Sequence, residues 1–186
     1  MIYDSSETKH SRTIHKSFDC SIMELADDIA YAIHDLEDAI VMNLVTEHSF
    51  YEEVCEPIKF LDVPWLSKNI KLLQTALFSG TPYTRKNAIG ALVNNFITVI
   101  SIHKKDVFES SLLDYIAVMP STHEQALNLF KDLGDEWFVA LTKSNLATCF
   151  INNGAYLKAE DYLGECWGFA EQNSHDTAKL FVMGCY

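Results

Sequence analysis

The chain has 186 residues, 48% hydrophobic and 22% charged, which is long enough to bury one sizeable core or two small ones. Its 26 acidic and 14 basic side chains give a net charge of −12, which disfavours nonspecific binding to nucleic acids or anionic membranes. The five cysteines include no Cys-x-x-Cys pair, so free thiols in a reducing compartment are favoured over a disulfide or zinc framework.

The sequence also predicts an all-α, cytoplasmic protein without a membrane segment. No signal peptide is present, and the most apolar run, 89–102, is too short to span a bilayer and contains Asn94 and Asn95. Only four prolines and seven glycines interrupt the helical patterns along the chain.

The first predicted element is a helix over residues 21–40 with two opposed stripes. At about 100° per residue, the aliphatic side chains cluster on one arc. These are Ile22, Leu25, Ile29, Ile33, Leu36 and Ile40. The opposite arc carries five carboxylates and one tyrosine, namely Glu24, Asp27, Asp28, Tyr31, Asp35 and Asp38. Two interpretations are open: the solvated side of an amphipathic helix, or a packed face that needs a divalent cation.

The run ELADDIAYAIHDLEDAI, with its pattern Asp27-x3-Tyr31-x3-Asp35, resembles the late metal-ligand helix of the HD-type deoxynucleoside triphosphate triphosphohydrolases, the dGTPases. Spacings of four place the three side chains on one helix face. The resemblance covers residues 15–119, through FSGTPYTRKNAIGALVNNFI and FESSLLDYIAV.

The resemblance implies a role for each residue of this pattern. Asp27 is expected to be the last ligand of a catalytic divalent metal such as Mg²⁺ or Mn²⁺. Tyr31 and Asp35 are expected to lie under the sugar of a deoxynucleoside triphosphate, with Asp35 accepting a hydrogen bond from the 3′-hydroxyl. The implied reaction is hydrolysis to deoxynucleoside and triphosphate.

The ligand set of that family is incomplete in this sequence. The family needs a His and an adjacent His-Asp pair upstream, but only 26 residues precede Asp27, and His10 and His15 are isolated. His34-Asp35 cannot substitute, because neighbouring residues on a helix point in different directions. We therefore expect the C-terminal part of an enzyme unit, inactive alone, with no catalytic residue assigned in this chain.

Two further helices are predicted, over residues 67–78 and from Thr84 onwards, separated by a turn at Ser79-Gly80-Thr81-Pro82. Arg85 and Lys86 would lie in the first turn of the later helix, where free backbone N–H groups also attract anions. The resemblance implies contact with the triphosphate, and the alternative is an ordinary exposed pair.

Residues 107–119 fit either a helix or a short strand. Pro120 disfavours a continuous helix across this point, so we predict two units, 1–119 and 120–186, with a new helix capped by Ser121 or Thr122.

From His123 onwards the sequence resembles tetratricopeptide repeats. The residues that match that motif's packing positions are Leu146, Ala147, Phe150, Gly154, Tyr156, Ala159, Leu163 and Cys166. Gly134-Asp135 and His175-Asp176 would each precede a helix start. A generic helical hairpin is the alternative.

Two functional hypotheses follow. The first is a dGTPase-like segment that needs a partner segment with the missing ligands, and a homo-oligomer is a separate expectation. The second is a noncatalytic helical module whose repeat part binds a protein partner. The union of two families in one chain is also what a fusion or artificial junction near residues 119–124 would produce.

Overall fold

The computed structural model describes residues 15–172, whose regular elements are helices and one two-stranded sheet, joined by turns and loops. The elements in chain order are α1 (Phe18–Val41), α2 (Glu47–Phe50), a π-helical turn (Tyr51–Cys55), α3 (Glu56–Ile58), α4 (Pro64–Leu77), α5 (Pro82–Thr98), β1 (Ser101–Lys104), α6 (Ser111–Asp114), β2 (Tyr115–Val118), α7 (Ser121–Asn152) and α8 (Tyr156–Gln172). The predicted all-α class is confirmed. No helix among these residues is long and apolar enough to cross a membrane.

Helix α1 has a defined cap at each end. The Ser17 side chain accepts a hydrogen bond from a backbone N–H of the first turn. At the other end Asn43 adopts a left-handed conformation with φ 56°. Its N–H donates to the Ile40 carbonyl, and the Leu44 N–H donates to the Ala39 carbonyl. This is the Schellman arrangement, and asparagine tolerates it better than most residues other than glycine.

The apolar stripe of α1 is the centre of the main core. Ile29, Ile33, Leu36 and Ile40 are buried as predicted, Leu25 is half-buried, and Ile22 is exposed near the start of the helix. The main core also takes buried side chains from the other elements. These include Val54, Ile58, Leu66, Ile70, Leu77, Leu92, Phe96, Ala126, Phe130 and Leu133.

Aromatic contacts join the first half of α7 to this core. The ring of Phe130 lies 6.1 Å from that of Phe50 and 6.0 Å from that of Phe96, both measured between centroids. Phe50 in turn makes an edge contact with Phe78 at 5.7 Å. The N-terminal half of α7 therefore packs with the segment that precedes Pro120.

Helix α7 is longer than the sequence suggested. It begins directly after Pro120, as the proline predicts, but Pro120 itself is the N-cap residue and no Ser121 or Thr122 side chain caps it. The helix then continues through Gly134 and Asp135 for 32 residues, so the predicted helix start at that dipeptide is wrong. A single glycine inside a helix costs only about 1 kcal/mol, which tertiary packing can offset. The other predicted start, His175-Asp176, lies outside the described residues.

A second, smaller core lies between the end of α7 and α8. Its buried members are Ala147, Ala159, Leu163 and Cys166, all of which the repeat pattern marked as packing residues. Gly154, with φ 72°, ends α7 in a second Schellman arrangement and lets the chain turn back. The hairpin is present, whereas its assignment as a tetratricopeptide repeat stays a prediction.

The division into units at residues 119 and 120 likewise stays a prediction. The two cores meet within α7, because Leu133 belongs to the first and Ala147 to the second.

The ambiguous segment 107–119 contains both a helical turn, α6, and a strand, β2. Strand β2 pairs antiparallel with β1 and also contacts α1, where the Ala117 N–H donates to the buried Ser21 hydroxyl at 2.9 Å. The buried Asp114 carboxylate accepts from the N–H groups of Val107 and Phe108 at 2.7 and 3.0 Å. These two bonds hold the pKa of Asp114 below its ordinary value and fix the connecting loop.

The other two predicted helices are present with small changes of boundary. The helix predicted over 67–78 is α4, and the one predicted from Thr84 is α5, which begins two residues earlier at Pro82. Proline suits the first turn of each, since no intrahelical partner exists there for its missing N–H.

Because α7 approaches α1 closely at Gly134, we predict that a larger side chain there destabilises the protein more than one at an open glycine position. A Cβ there would lie 3.4 Å from the Leu36 nitrogen and 3.6 Å from the Asp35 carbonyl carbon. The two additional methyl groups of Gly134→Val must displace α7, and we expect a loss of about 1–3 kcal/mol in the free energy of unfolding. Urea denaturation measures it.

Gly90→Val on α5 is the matched control, because a Cβ at Gly90 meets no atom within 4 Å. A loss of stability that is equal in the two variants would contradict the close approach.

Candidate functional site

The pattern Asp27-x3-Tyr31-x3-Asp35 lies along the outer side of α1, opposite the buried aliphatic stripe. Asp27 is exposed, Tyr31 is 48% exposed, and Asp35 is half-buried. The three residues occupy successive turns, about 6 Å apart along the axis. The predicted common face is therefore present, and its C-terminal end is the less exposed one.

Helix α7 reaches the middle of this face. The Tyr31 hydroxyl donates a hydrogen bond to the Asp135 Oδ1 atom at 2.9 Å. The Lys131 Nζ atom lies 5.3 Å from the centroid of the Tyr31 ring, within the range of a cation–π contact. Lys131 and Asp135 are four residues apart on α7, so both project toward the same turn of α1.

The carboxylates around Tyr31 change its titration and that of Asp35. The hydrogen bond to Asp135, together with the negative charge of that group, raises the pKa of Tyr31. Partial burial raises the pKa of Asp35, and the charges of Asp135 and Asp38 add to the effect. His34 and the Tyr31 hydroxyl act in the opposite direction on Asp35.

A groove of about 230 Å³ runs between α1 and the first turns of α7, next to this cluster. Its lining residues are Leu25, Asp28, Met119, Glu124, Leu127, Asn128 and Lys131. Lys131 lies at the junction of the groove with the Tyr31 cluster, since it lines the groove and also contacts the ring.

The donor set does not by itself fit a metal. Within residues 15–172, no three His, Cys, Asp or Glu side chains come together in a way that could hold an ion. Asp27 contributes a single carboxylate. The His34 Nδ1 atom lies 3.6 Å from the Glu37 Oε2 atom, one turn along α1. A metal site at Asp27 requires ligands from outside the described residues.

Arg85 and Lys86 lie in the first turns of α5, as predicted. The Arg85 Nε–H donates to the Leu77 carbonyl at 3.1 Å, at the C-terminal end of α4. The guanidinium thereby satisfies one of the free carbonyls at that helix end and opposes its negative dipole. Lys86 is exposed. Arg85 has a structural contact that the sequence did not indicate.

Two residues of the cluster, Lys131 and Asp135, were missed from the sequence. Their spacing of four on one helix was available as a signal. The incorrect helix start at Gly134-Asp135 separated them, because it placed Lys131 at the end of one helix and Asp135 at the beginning of the next.

The chain is similar in sequence to proteins named deoxyguanosinetriphosphate triphosphohydrolase-like. The relative from Shewanella pealeana is 49% identical over 125 residues, which is 67% of this chain and 28% of the relative. The relative from Shewanella halifaxensis is 46% identical over 129 residues, 69% of this chain and 29% of the relative. The relative from Shewanella oneidensis is 49% identical over 124 residues, which is 67% of this chain and 28% of the relative.

These relatives support the dGTPase-like resemblance over two-thirds of this chain. The chain spans less than a third of the length of the relatives it matches. No family model matches the chain. The resemblance of its C-terminal part to tetratricopeptide repeats is thus without support from the comparisons.

The contact between Tyr31 and Asp135 predicts that a change at Asp135 will alter the pKa of both Tyr31 and Asp35. We expect Asp135→Asn to lower the pKa of Tyr31 and of Asp35 toward their ordinary values, because the negative charge near both is removed. The pKa of Tyr31 is measured by NMR titration of protein labelled with ¹³C at the tyrosine Cζ. The Tyr31→Phe variant assigns the Tyr31 signal, because that signal is missing from its spectrum.

Asp132→Asn is the control, since Asp132 is an exposed carboxylate on the same helix. A Tyr31 pKa that does not respond to Asp135→Asn would show that the contact is not formed in solution.

Proposed function

We propose that this chain supplies one wall of the substrate site of a dGTPase-like deoxynucleoside triphosphate triphosphohydrolase. The observation that carries the proposal is the identity of 49% over 125 residues with a dGTPase-like relative. The polar face of α1 adds support, because it presents the family's pattern at Asp27, Tyr31 and Asp35 opposite a buried apolar stripe.

In this proposal each of the three residues of α1 contacts a different part of the metal and substrate. Asp27, exposed at the N-terminal side of the pattern, contributes one ligand to a divalent metal whose other ligands come from a partner segment. Tyr31 presents an aromatic ring for the sugar, and Asp35, two turns from Asp27, accepts a hydrogen bond from the 3′-hydroxyl. An ionised carboxylate suits that task because all of its hydrogen-bonding capacity is for accepting.

Arg85 and Lys86 are the proposed contacts for the triphosphate. The hydrogen bond to the Leu77 carbonyl uses only the Nε–H of Arg85. A guanidinium has five N–H donors in a planar fork, so four remain for an anion. The bond to Leu77 would hold that fork in place while phosphate oxygens bind its other edge.

The incomplete ligand set predicts that the purified chain alone does not hydrolyse dGTP or any other deoxynucleoside triphosphate. A single carboxylate does not hold a metal that activates water near neutral pH. Release of triphosphate is measured with Mg²⁺, Mn²⁺ or Co²⁺ added. Metal-dependent release that co-purifies with the chain through several columns would refute this expectation.

A chimera tests the residue roles directly. The upstream segment of a dGTPase-like relative, fused ahead of this chain, should give metal-dependent hydrolysis. Asp27→Ala should abolish turnover, because a metal ligand is lost. Asp35→Asn should chiefly raise KM, by about tenfold, since a weakened hydrogen bond to substrate costs about 1–2 kcal/mol.

Asp19→Asn is the matched control, an exposed carboxylate on the same helix to which no role is assigned. Full activity of both Asp27→Ala and Asp35→Asn in an active chimera would show that the polar face of α1 is only solvated surface.

The alternative, a noncatalytic module that binds a protein through the α7–α8 hairpin, rests on the repeat pattern alone. A hairpin with a small core of its own is compatible with it. The comparisons name only dGTPase-like proteins among the relatives reported above, so the enzyme-segment proposal has the stronger support.

A further inference from the structure

The basic side chains of this acidic protein are unevenly placed. Residues 59–100 carry five Lys or Arg and one acidic residue, Asp62, whereas the whole chain has 14 basic and 26 acidic residues. This stretch includes α4 and α5. It is therefore the part of the molecule that attracts acidic surfaces, while most of the remaining surface repels them.

The outer face of α4 combines this positive charge with exposed apolar side chains. Leu66, Ile70, Leu73 and Leu77 are the buried residues of the helix and define its inner face. At 100° per residue, Trp65, Lys68, Lys71 and Leu72 fall on the opposite arc. Leu72 is 71% exposed and Trp65 is 41% exposed, and Phe60, just before the helix, is 87% exposed.

The outer face of α8 also combines exposed charged and apolar side chains, but its charge is mainly negative. The buried residues Ala159, Leu163, Cys166 and Ala170 define its inner face. The outer face carries the exposed carboxylates Glu160, Asp161 and Glu171 together with Leu157, which is 80% exposed. Lys158 is also exposed on α8, but four acidic residues outnumber it there. Exposed apolar side chains rimmed by polar ones are typical of surfaces that associate with another protein.

We propose that the outer face of α4 binds the outer face of α8 in a second copy of this chain. Lysines 68 and 71 would face carboxylates of the partner copy, while Leu72 and Leu157 would bury apolar surface between them. Neither face includes Asp27, Tyr31 or Asp35. The proposal does not depend on the proposed enzymatic function.

The two faces differ, so the contact is head-to-tail, and a pair of copies retains one unused α8 face on the first copy and one unused α4 face on the second. Such contacts grow into open chains unless the rotation closes a ring. Two helix faces make a small interface, and interfaces at the small end of the range are weak. We therefore expect reversible, micromolar association that weakens as salt screens the charges.

Sedimentation velocity of the full chain over a range of concentrations tests the proposal. The α4 variant is Lys68→Glu with Leu72→Glu, and the α8 variant is Leu157→Lys with Asp161→Lys. Each should weaken self-association at least about tenfold, or ~1.4 kcal/mol. An equal mixture of the two should associate again, because each mixed pair has one intact α4 and one intact α8, and the reversed charges on the two altered faces are also complementary.

Ile102→Glu is the control for exposed apolar surface, since Ile102 is 64% exposed on β1 and belongs to neither face. It should associate like the unmodified chain. Circular dichroism and urea midpoints verify that all variants remain folded. If a double variant is unstable, Leu72→Ser and Leu157→Ser replace it, with the same expected direction.

Several outcomes would overturn the proposal. The chain could remain monomeric at every concentration, or the mixture of the two variants could fail to associate. Loss of association in Asp27→Lys with Asp28→Lys, but not in the α8 variant, would place the counterpart on α1 instead. A monomeric chain that binds a single-stranded oligonucleotide through Lys68 and Lys71 would identify a different occupant of α4.

Discussion

The packing of α7 against α1 is the constraint on which the rest of the fold depends. Gly134 lets the two backbones approach closely, since a Cβ there would already lie 3.4 Å from the Leu36 nitrogen. Glycine inside a helix costs about 1 kcal/mol relative to alanine. Phe130 and Leu133, on the same helix, are almost completely buried, and each large side chain of this kind stabilises by about 1.5–3 kcal/mol. The close contact is therefore favourable even though it places a poor helix former in the middle of α7.

The same contact determines the chemistry of the polar face. Because Gly134 lies against the backbone of Asp35 and Leu36, its neighbour Asp135 comes within hydrogen-bonding distance of Tyr31, and Lys131 lies over the ring. The middle of the proposed sugar site is thus built from two helices. A shift of α7 would alter the pKa of Tyr31 and of Asp35 together, since Asp135 contributes to both. Structural packing and the proposed substrate contacts are coupled through one turn of each helix.

Much of the fold was predictable because its determinants are local and periodic. The 3.6-residue pattern located α1, α4 and α5, and Pro120 marked the beginning of α7. The continuity of α7 could not be predicted, since the helix-breaking tendency of Gly134 is overcome by a contact with α1 about a hundred positions earlier. The pattern on α1 was recognisable because its spacing of four lies within one predicted helix. Lys131 and Asp135 have the same spacing, but they were missed because a helix start was predicted between them. The contact between Arg85 and the Leu77 carbonyl joins two helix ends across a turn, and no sequence periodicity specifies it.

The acidic stripe on α1 does not need a cation to let the helix fold. Glu24, Asp27, Asp28 and Asp38 are exposed, where water solvates their charges. Two lysines also approach the stripe, Lys16 at Glu24 and Lys131 at Tyr31. Repulsion between exposed carboxylates one turn apart costs only a few tenths of a kcal/mol per pair, far less than the burial of the opposite face contributes. Helix stability is therefore independent of any ion at Asp27. A metal held there, with ligands from a partner segment, would be retained for its chemistry and not for the fold.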